Sequence, residues 1–168
     1  NTRPLGSKHL LDAAADGSAY SAAHGRYHPY YRHFLEEFGY YDVFLVEPKQ
    51  GRIVYSVFKE LDFGTSLLTG PYKDSGIAEA YRAARSAAGK NDVAQTDYAV
   101  YRPSYDDQAA FIASPIVSDG QVSGVLVFQI PIDRVNAIMT NEGEWDAEGL
   151  EVVQDGDQKV EPELHALL

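Results

Sequence analysis

Three histidines close together in the chain, His24, His28 and His33, carry the most obvious potential for chemistry. His24 and His28 have the i, i+4 spacing of two metal ligands on one helical face. Gly25 and Pro29 stand between and beside them and predict a break in that helix, and no carboxylate occupies a matching position. Polar residues on a membrane-distal or subunit-facing helix account for them better than a metal site does, so no metal is expected. Asp106 and Asp107 form a pair that could pass for general acid–base groups, but adjacent aspartates in a loop are far more often solvated charge. The segment GPYKDSG (70–76) has two glycines but not the lysine position of a phosphate-binding loop. No G-x-S-x-G elbow occurs. The absence of cysteine excludes a thiol nucleophile, a disulfide framework and a thiolate zinc site. The expectation is a non-enzyme that uses no cofactor.

The elements that must position any site follow from periodicity. Residues 7–38 predict helix in two pieces, with Ser7 capping the first, Pro29 opening the second and Gly39 stopping it. Tyr27, Tyr31, Phe34, Leu35 and Phe38 recur at helical spacing and form an apolar stripe. Tyr41–Val46 and Arg52–Phe58 read as a β-hairpin through EPKQG. Residues 61–75 are irregular, and 75–88 read as a helix between Ser75 and Gly89. Three strands follow, Thr96–Tyr101, Ala109–Val117 and Val122–Ile130, the last two joined by SDGQ. Pro131 ends the last strand, and Ile132–Met139 reads as a short exit helix. From Trp145 the chain turns acidic and weakly periodic. The predicted division is an N-terminal helical segment (1–38), a helix-and-sheet core (39–140) and a C-terminal tail or junction (141–168).

A length of 168 residues suits one domain with a proper core, and 45% hydrophobic with 23% charged residues is an ordinary globular balance. The net charge of −11 disfavours nucleic acid and anionic lipid as partners. No apolar run reaches the roughly 18 residues of a membrane span, and the N-terminus lacks a basic-then-apolar leader pattern.

The segments FGYYDVFLVEPKQGRIVYSVFKELDFGTSLLTGPYKDSG (38–76) and YRPSYDDQAAFIASPIVSDGQVSGVLVFQIPIDRVNAIMT (101–140) resemble a sensor domain of bacterial methyl-accepting chemotaxis proteins. Similar domains precede histidine kinases and nucleotide cyclases. The resemblance implies an α+β, PAS-like Cache fold: a long N-terminal helix packed on a five-stranded antiparallel sheet with a helical crossover. It also implies a periplasmic, extracytoplasmic domain between two transmembrane helices of an inner-membrane protein, with a small solute as its partner. EWDAEGL would be expected to lead into a glycine-rich second sensor region, which Glu151–Leu168 does not resemble.

In such a module one sheet face and the crossover enclose a small cavity whose polar groups choose the ligand. The candidates are Tyr72, Asp74 and Ser75 on the crossover, and Tyr81 one or two turns later. Asp97, Ala99 and Tyr101 alternate onto one face of the third strand, with Tyr98 on the other. Phe111, Ala113 and Gln129 lie on the neighbouring strands, and Tyr55 and Lys59 close one end. Most strand tyrosines simply pack. Gln129, inside VLVFQIP, is costly to bury unless it bonds either the neighbouring backbone or a ligand. The small residues Ala109, Ala110 and Ala113 leave room for a ligand or for close helix packing.

The Arg-Trp-Tyr cluster of amino-acid-binding Cache domains is not evident. The few positive groups near the pocket (Lys59, Lys73, Arg82, Arg102) permit a carboxylate ligand without demanding one. The primary expectation is the ligand-sensing domain of a transmembrane chemoreceptor. The alternative is a dimerisation or protein-interaction module of a receptor kinase or cyclase, a homodimer through the N-terminal helix included, with the pocket packed shut by Tyr98 and Phe111.

Overall fold

In the computed structural model, residues 7–140 apart from 88 and 90 are described; the tail expected over 141–168 lies outside them. A 3-10 turn, Lys8–Leu10, precedes helix α1 (Ala19–Phe38). Strands β1 (Asp42–Val46) and β2 (Ile53–Ser56) form the hairpin, and the crossover leads to α2 (Gly76–Ser86). Then come β3 (Ala94–Gln95), β4 (Ala99–Tyr101), a 3-10 turn at Arg102–Ser104, β5 (Asp107–Ser118) and β6 (Gln121–Pro131). Two units divide the chain, one ending at Ile132 and one starting at Asp133; the second opens with helix α3 (Asp133–Thr140). No helix among the described residues is long and apolar enough to cross a membrane.

The strands form one antiparallel sheet in the order β2-β1-β6-β5-β3, with β4 also pairing β5. Six strands stand where five are expected: the third, expected over Thr96–Tyr101, is a strand only over Ala99–Tyr101, and a short extra strand, Ala94–Gln95, precedes it. Between the two, Thr96 bonds strand β5 with its side chain as well as its backbone. Its N–H donates to the Phe111 carbonyl and its Oγ1 accepts the Phe111 N–H, each at 3.0 Å.

Alternation along β1, β5 and β6 sends side chains to two faces. One face buries Phe44, Val46, Phe111, Ala113, Val125 and Val127 against Ile77, Ala80, Tyr81 and Ala84 of α2. The other buries Val43, Leu126 and Phe128 beside Tyr31 and Leu35 of α1. The sheet therefore lies between two helical layers.

Helix α1 is continuous, contrary to the expected break at Gly25 and Pro29. Ser18, not Ser7, caps it, its hydroxyl accepting the Ser21 N–H at 3.0 Å, and Gly39 ends it in the left-handed region at φ 67°. Pro29 forgoes one helical hydrogen bond, yet Ser21, His24, His28 and Leu35 are buried on both sides of it. The buried stripe is thus rotated from the expected one: Tyr27 and Phe38 are exposed. Gly25 has a packing role. A Cβ there would come within 3.0 Å of the Ala13 Cβ, so the bare backbone lets the N-terminal segment lie against the helix.

That segment is held by side chains reaching its carbonyls. His28 Nε2 donates to the His9 carbonyl at 2.7 Å, Arg32 donates to the same oxygen at 2.8 Å, and His24 Nδ1 donates to the Asp12 carbonyl at 2.5 Å. The two histidine rings stack at 4.2 Å. His33 is exposed.

Candidate functional site

The crossover face carries a cleft of ≈470 Å³. Tyr72, Asp74 and Ser75 border it from the crossover, Val100, Tyr101 and Arg102 from the end of β4, and Leu61 from the loop after β2. Ser75 donates its hydroxyl to the Tyr72 carbonyl at 2.6 Å, which tightens the turn leading into α2. Tyr101 is 2% exposed and packs edge-on against Phe111, centroids 5.0 Å apart.

Beneath the cleft the Tyr101 hydroxyl donates to Asp62 Oδ2 at 2.5 Å, while Asp62 Oδ1 is buried with no hydrogen-bond partner. Burial drives the Asp62 pKa up; the Tyr101 hydroxyl and the N–H groups of Asp62 and Phe63 pull it back. The same burial and the neighbouring Asp62 carboxylate push the Tyr101 hydroxyl far above the usual phenol range, so it remains a donor. Two further acids share this end of the sheet, Asp42 fully buried and Glu60 half-buried. Asp42 caps the start of β1: its Oδ1 accepts the Val43 N–H at 2.6 Å and the Val57 N–H at 2.8 Å, and burial holds its pKa well above normal. Glu60 accepts the Tyr41 hydroxyl at 2.9 Å and the Ser104 hydroxyl at 3.0 Å, and burial raises it too. A second opening of ≈330 Å³, bordered by Tyr41, Glu60 and Tyr105, shares Leu61 and Arg102 with the first.

Of the residues singled out in the sequence, Tyr72, Asp74, Ser75 and Tyr101 are brought together around the cleft, and the rest are not. Tyr81 is fully buried and donates to the carbonyls of Glu47 and Pro48 at 3.2 and 3.1 Å, tying α2 to the β1–β2 turn. Phe111 and Ala113 belong to the core, and Ala109 and Ala113 take the close-packing role against Ala80 and Ala84. Gln129 is satisfied by a side chain, not by backbone or an open cavity: its Nε2 donates to the Ser104 hydroxyl at 2.9 Å. Asp97 is exposed and borders no part of the cleft.

Tyr55 and Lys59 lie on the opposite face. A β-bulge between Leu45 and Val46 pairs Leu45 with Tyr55 but Val46 with Ile53, so Tyr55 turns to α1, where its hydroxyl meets His28 Nδ1 at 2.7 Å. Lys59 lies 5.2 Å over the Tyr55 ring and donates to the Ser56 carbonyl at 2.9 Å; burial lowers its pKa to about 8. Nor do Tyr98 and Phe111 fill the cleft: Tyr98 points its hydroxyl at the Pro131 carbonyl, 3.4 Å away.

Asp62, Glu60 and Ser104 were missed. The signal for the two acids was their place in KELDFG, where charges interleave with Leu61 and Phe63 directly after a strand. Arg102, noted in the sequence as a nearby positive group, does border the cleft, whereas Lys73 is engaged with Asp74 at 3.3 Å on the surface. Asp106 and Asp107 are exposed, and Asp106 adopts a positive φ of 64° in the turn into β5. Among the described residues no group of three metal-ligating side chains converges.

No family model matches the chain, and no curated protein matches it. Several solved structures are similar. The sensor domain of the Vibrio cholerae (V. cholerae) histidine kinase DctB is 18% identical, with a TM-score of 0.46 over 76% of this chain and 47% of that one. The ligand-binding domain of the Pseudomonas aeruginosa amino acid chemoreceptor PctC, solved with GABA, is 16% identical, with a TM-score of 0.44 over 79% and 50%. The sensory domain of the Campylobacter jejuni chemoreceptor Tlp3 with isoleucine bound is 16% identical, with a TM-score of 0.44 over 82% and 56%. The chain spans about half the length of each of these. Sensor and ligand-binding domains of a histidine kinase and of chemoreceptors are thus what this chain is similar to.

Proposed function

We propose that this chain is a ligand-sensing domain that binds a small solute in the cleft between the crossover and Tyr101. The observation that carries the reading is Asp62 Oδ1, a carboxylate oxygen buried without a partner beneath that cleft. Native proteins satisfy nearly all such groups, and a donor carried by a solute would satisfy this one. The solute is therefore one that presents a hydrogen-bond donor, an ammonium above all, since a charged donor best offsets a desolvated carboxylate. Asp74 at the rim is paired with Lys73, and Arg102 supplies a fork for an acidic group on the same solute.

Binding would draw Tyr72–Ser75 onto Tyr101, and those residues run directly into α2. A ligand biases such an element only through its differential affinity for the two arrangements. The resemblance of 38–76 and 101–140 supports placing the domain outside the cytoplasmic membrane in a transmembrane receptor, a methyl-accepting chemotaxis protein in the first instance and a histidine kinase or cyclase in the second. We read it as a binding module and not as a catalyst: around the cleft the buried titratable groups are acids held by structural hydrogen bonds.

A thermal-shift titration of the chain with amines, amino acids, carboxylates and polyols tests the reading. A solute at about 100 times its Kd adds about 2.7 kcal/mol, a rise of several degrees in Tm for a domain this size. Ammonium-bearing members are expected to give it. A flat response across the whole panel refutes direct sensing. A second reading has its own observation. Tyr30 and Phe38 on α1 are 75% and 54% exposed, which favours a subunit contact along that helix; sedimentation over a range of concentrations checks it.

A further inference from the structure

On the α1 face of the sheet a groove of ≈410 Å³ runs between the helix and the edge strand β2. Its walls are the rings of Tyr20, Tyr27, Tyr31 and Tyr55, with His24 and Val54. The β-bulge creates it, because Val54 is the extra residue and Tyr55 turns inward beside it. Tyr20 bridges the groove, donating to the Val54 carbonyl at 3.2 Å. The volume falls in the range that holds small molecules.

Two features specify the occupant. The first is the tautomer of His24. Its Nδ1 faces the Asp12 carbonyl, which can only accept, so the proton sits on Nδ1 and Nε2 is a bare acceptor. His24 is 9% exposed, and Nε2 has no hydrogen-bond partner. Burial, with Lys59 nearby, disfavours a second proton on the ring, against the opposing pull of Asp12. His24 thus brings an unused acceptor to the lining of the groove.

The second feature is charge. Lys59 already lies over the Tyr55 ring at 5.2 Å and Arg26 over the Tyr27 ring at 5.3 Å. A cationic ligand would be repelled by both and would compete for faces already in use. A neutral flat ring meets neither objection and gains offset or edge contacts with the tyrosines.

We propose that the α1–β2 groove is a second binding site, for a small neutral planar aromatic molecule with one N–H or O–H donor, of the indole or phenol class, which it gives to His24 Nε2. The site is separate from the Asp62 cleft, on the other face of the sheet, and stands whether or not that cleft binds a solute.

Calorimetric titration of the chain with indole and with 1-methylindole, which has nearly the same shape and no donor, tests it. Indole is expected to bind, and 1-methylindole about fivefold more weakly, the worth of one neutral hydrogen bond. Val54→Trp fills the groove and removes binding of both, while Asp97→Ala, at an exposed position outside the groove, leaves indole affinity unchanged. Should Val54→Trp not fold, Tyr27→Ala removes an exposed wall and weakens indole several-fold. No indole binding at millimolar concentration, equal affinity for the two probes, or undiminished binding in the groove variants overturns the proposal. So do groove tyrosine NMR signals that move with protein concentration and not with indole, since the face is then a subunit contact.

Discussion

Replacing Asp62 by asparagine separates a carboxylate kept for binding from one kept for structure. Asp62 is wholly buried, one oxygen accepts the Tyr101 hydroxyl at 2.5 Å and the other has no partner. Its pKa is raised, chiefly by burial, from an ordinary value of 3.8. An acid whose folded pKa is raised holds its proton more tightly in the folded chain than in the unfolded one. Its contribution to stability is then fullest below 3.8 and is lost as pH climbs from 3.8 to the raised value. At neutral pH the buried Asp62 carboxylate therefore weakens the fold. Asparagine has the same shape, still accepts from Tyr101 through its carbonyl and brings no charge. Asp62→Asn should leave stability at pH 7 unchanged or raise it by about 1 kcal/mol. Asp62→Ala strands the Tyr101 hydroxyl and leaves a hole, and should cost about 2–3 kcal/mol. Urea unfolding at pH 7 measures both. For an ammonium solute bound by the wild type, Asp62→Asn removes a charge-assisted hydrogen bond of about 1.5–3 kcal/mol, roughly 10- to 150-fold in Kd. Asparagine costing as much stability as alanine, with solute affinity unchanged, would refute the assignment and make Asp62 a structural acceptor.

Other positions give sharper structural tests. His28 is buried between the His9 carbonyl and the Tyr55 hydroxyl, and burial lowers its pKa to about 4. A base with a lowered folded pKa contributes fully above 6.5 and loses that contribution as pH falls toward about 4; the unfolding free energy from urea titration should drop by about 1–2 kcal/mol between pH 7 and pH 4.5, and by less in His28→Gln. Gly51 has φ 66°, and a Cβ there would lie 2.9 Å from Leu68 Cγ and 3.1 Å from Tyr81 Cε1. Gly51→Ala should cost about 2–3 kcal/mol in thermal unfolding, against about 1 kcal/mol for Gly120→Ala, where φ is 74° but nothing lies within 4 Å. Tyr81→Phe should cost about 1 kcal/mol by losing its donation to the β1–β2 turn, and leave solute affinity unaltered.

The helices and long strands were legible because each is written several times over. Strand β6 shows alternating burial from Val125 to Gln129, turn residues precede it at Asp119–Gly120, and Pro131 closes it. Helix α2 buries Ile77, Ala80, Tyr81 and Ala84 at helical spacing. Helix α1 was misjudged at Gly25 and Pro29 because local propensity was weighed without the layer it packs on. Burial of His24, His28 and Leu35 holds the helix together across the proline, and Gly25 serves the segment lying against it. The third strand was expected to start at Thr96 because threonine is a good strand residue. Nothing local shows that its hydroxyl will take a hydrogen bond from the Phe111 N–H.

The candidate site was half legible for a related reason. Tyr72, Asp74, Ser75 and Tyr101 were found because the crossover and the end of a strand are where a helix-on-sheet fold leaves room. Asp62 was missed because its significance lies in a missing partner, and a missing partner is a property of three-dimensional neighbours. Tyr55 and Lys59 were expected at one end of the pocket and lie on the other face. In a regular strand Tyr55 would share the face of Ile53, under α2, and one extra residue at Val54 reverses the positions that follow. That single insertion moves Tyr55 from the Asp62 cleft to the histidines of α1 and at the same time opens the groove beside Val54. The bulge is therefore the feature that brings Tyr55 to the histidines and tyrosines under α1 and leaves the buried Asp62 and Tyr101 to the crossover face.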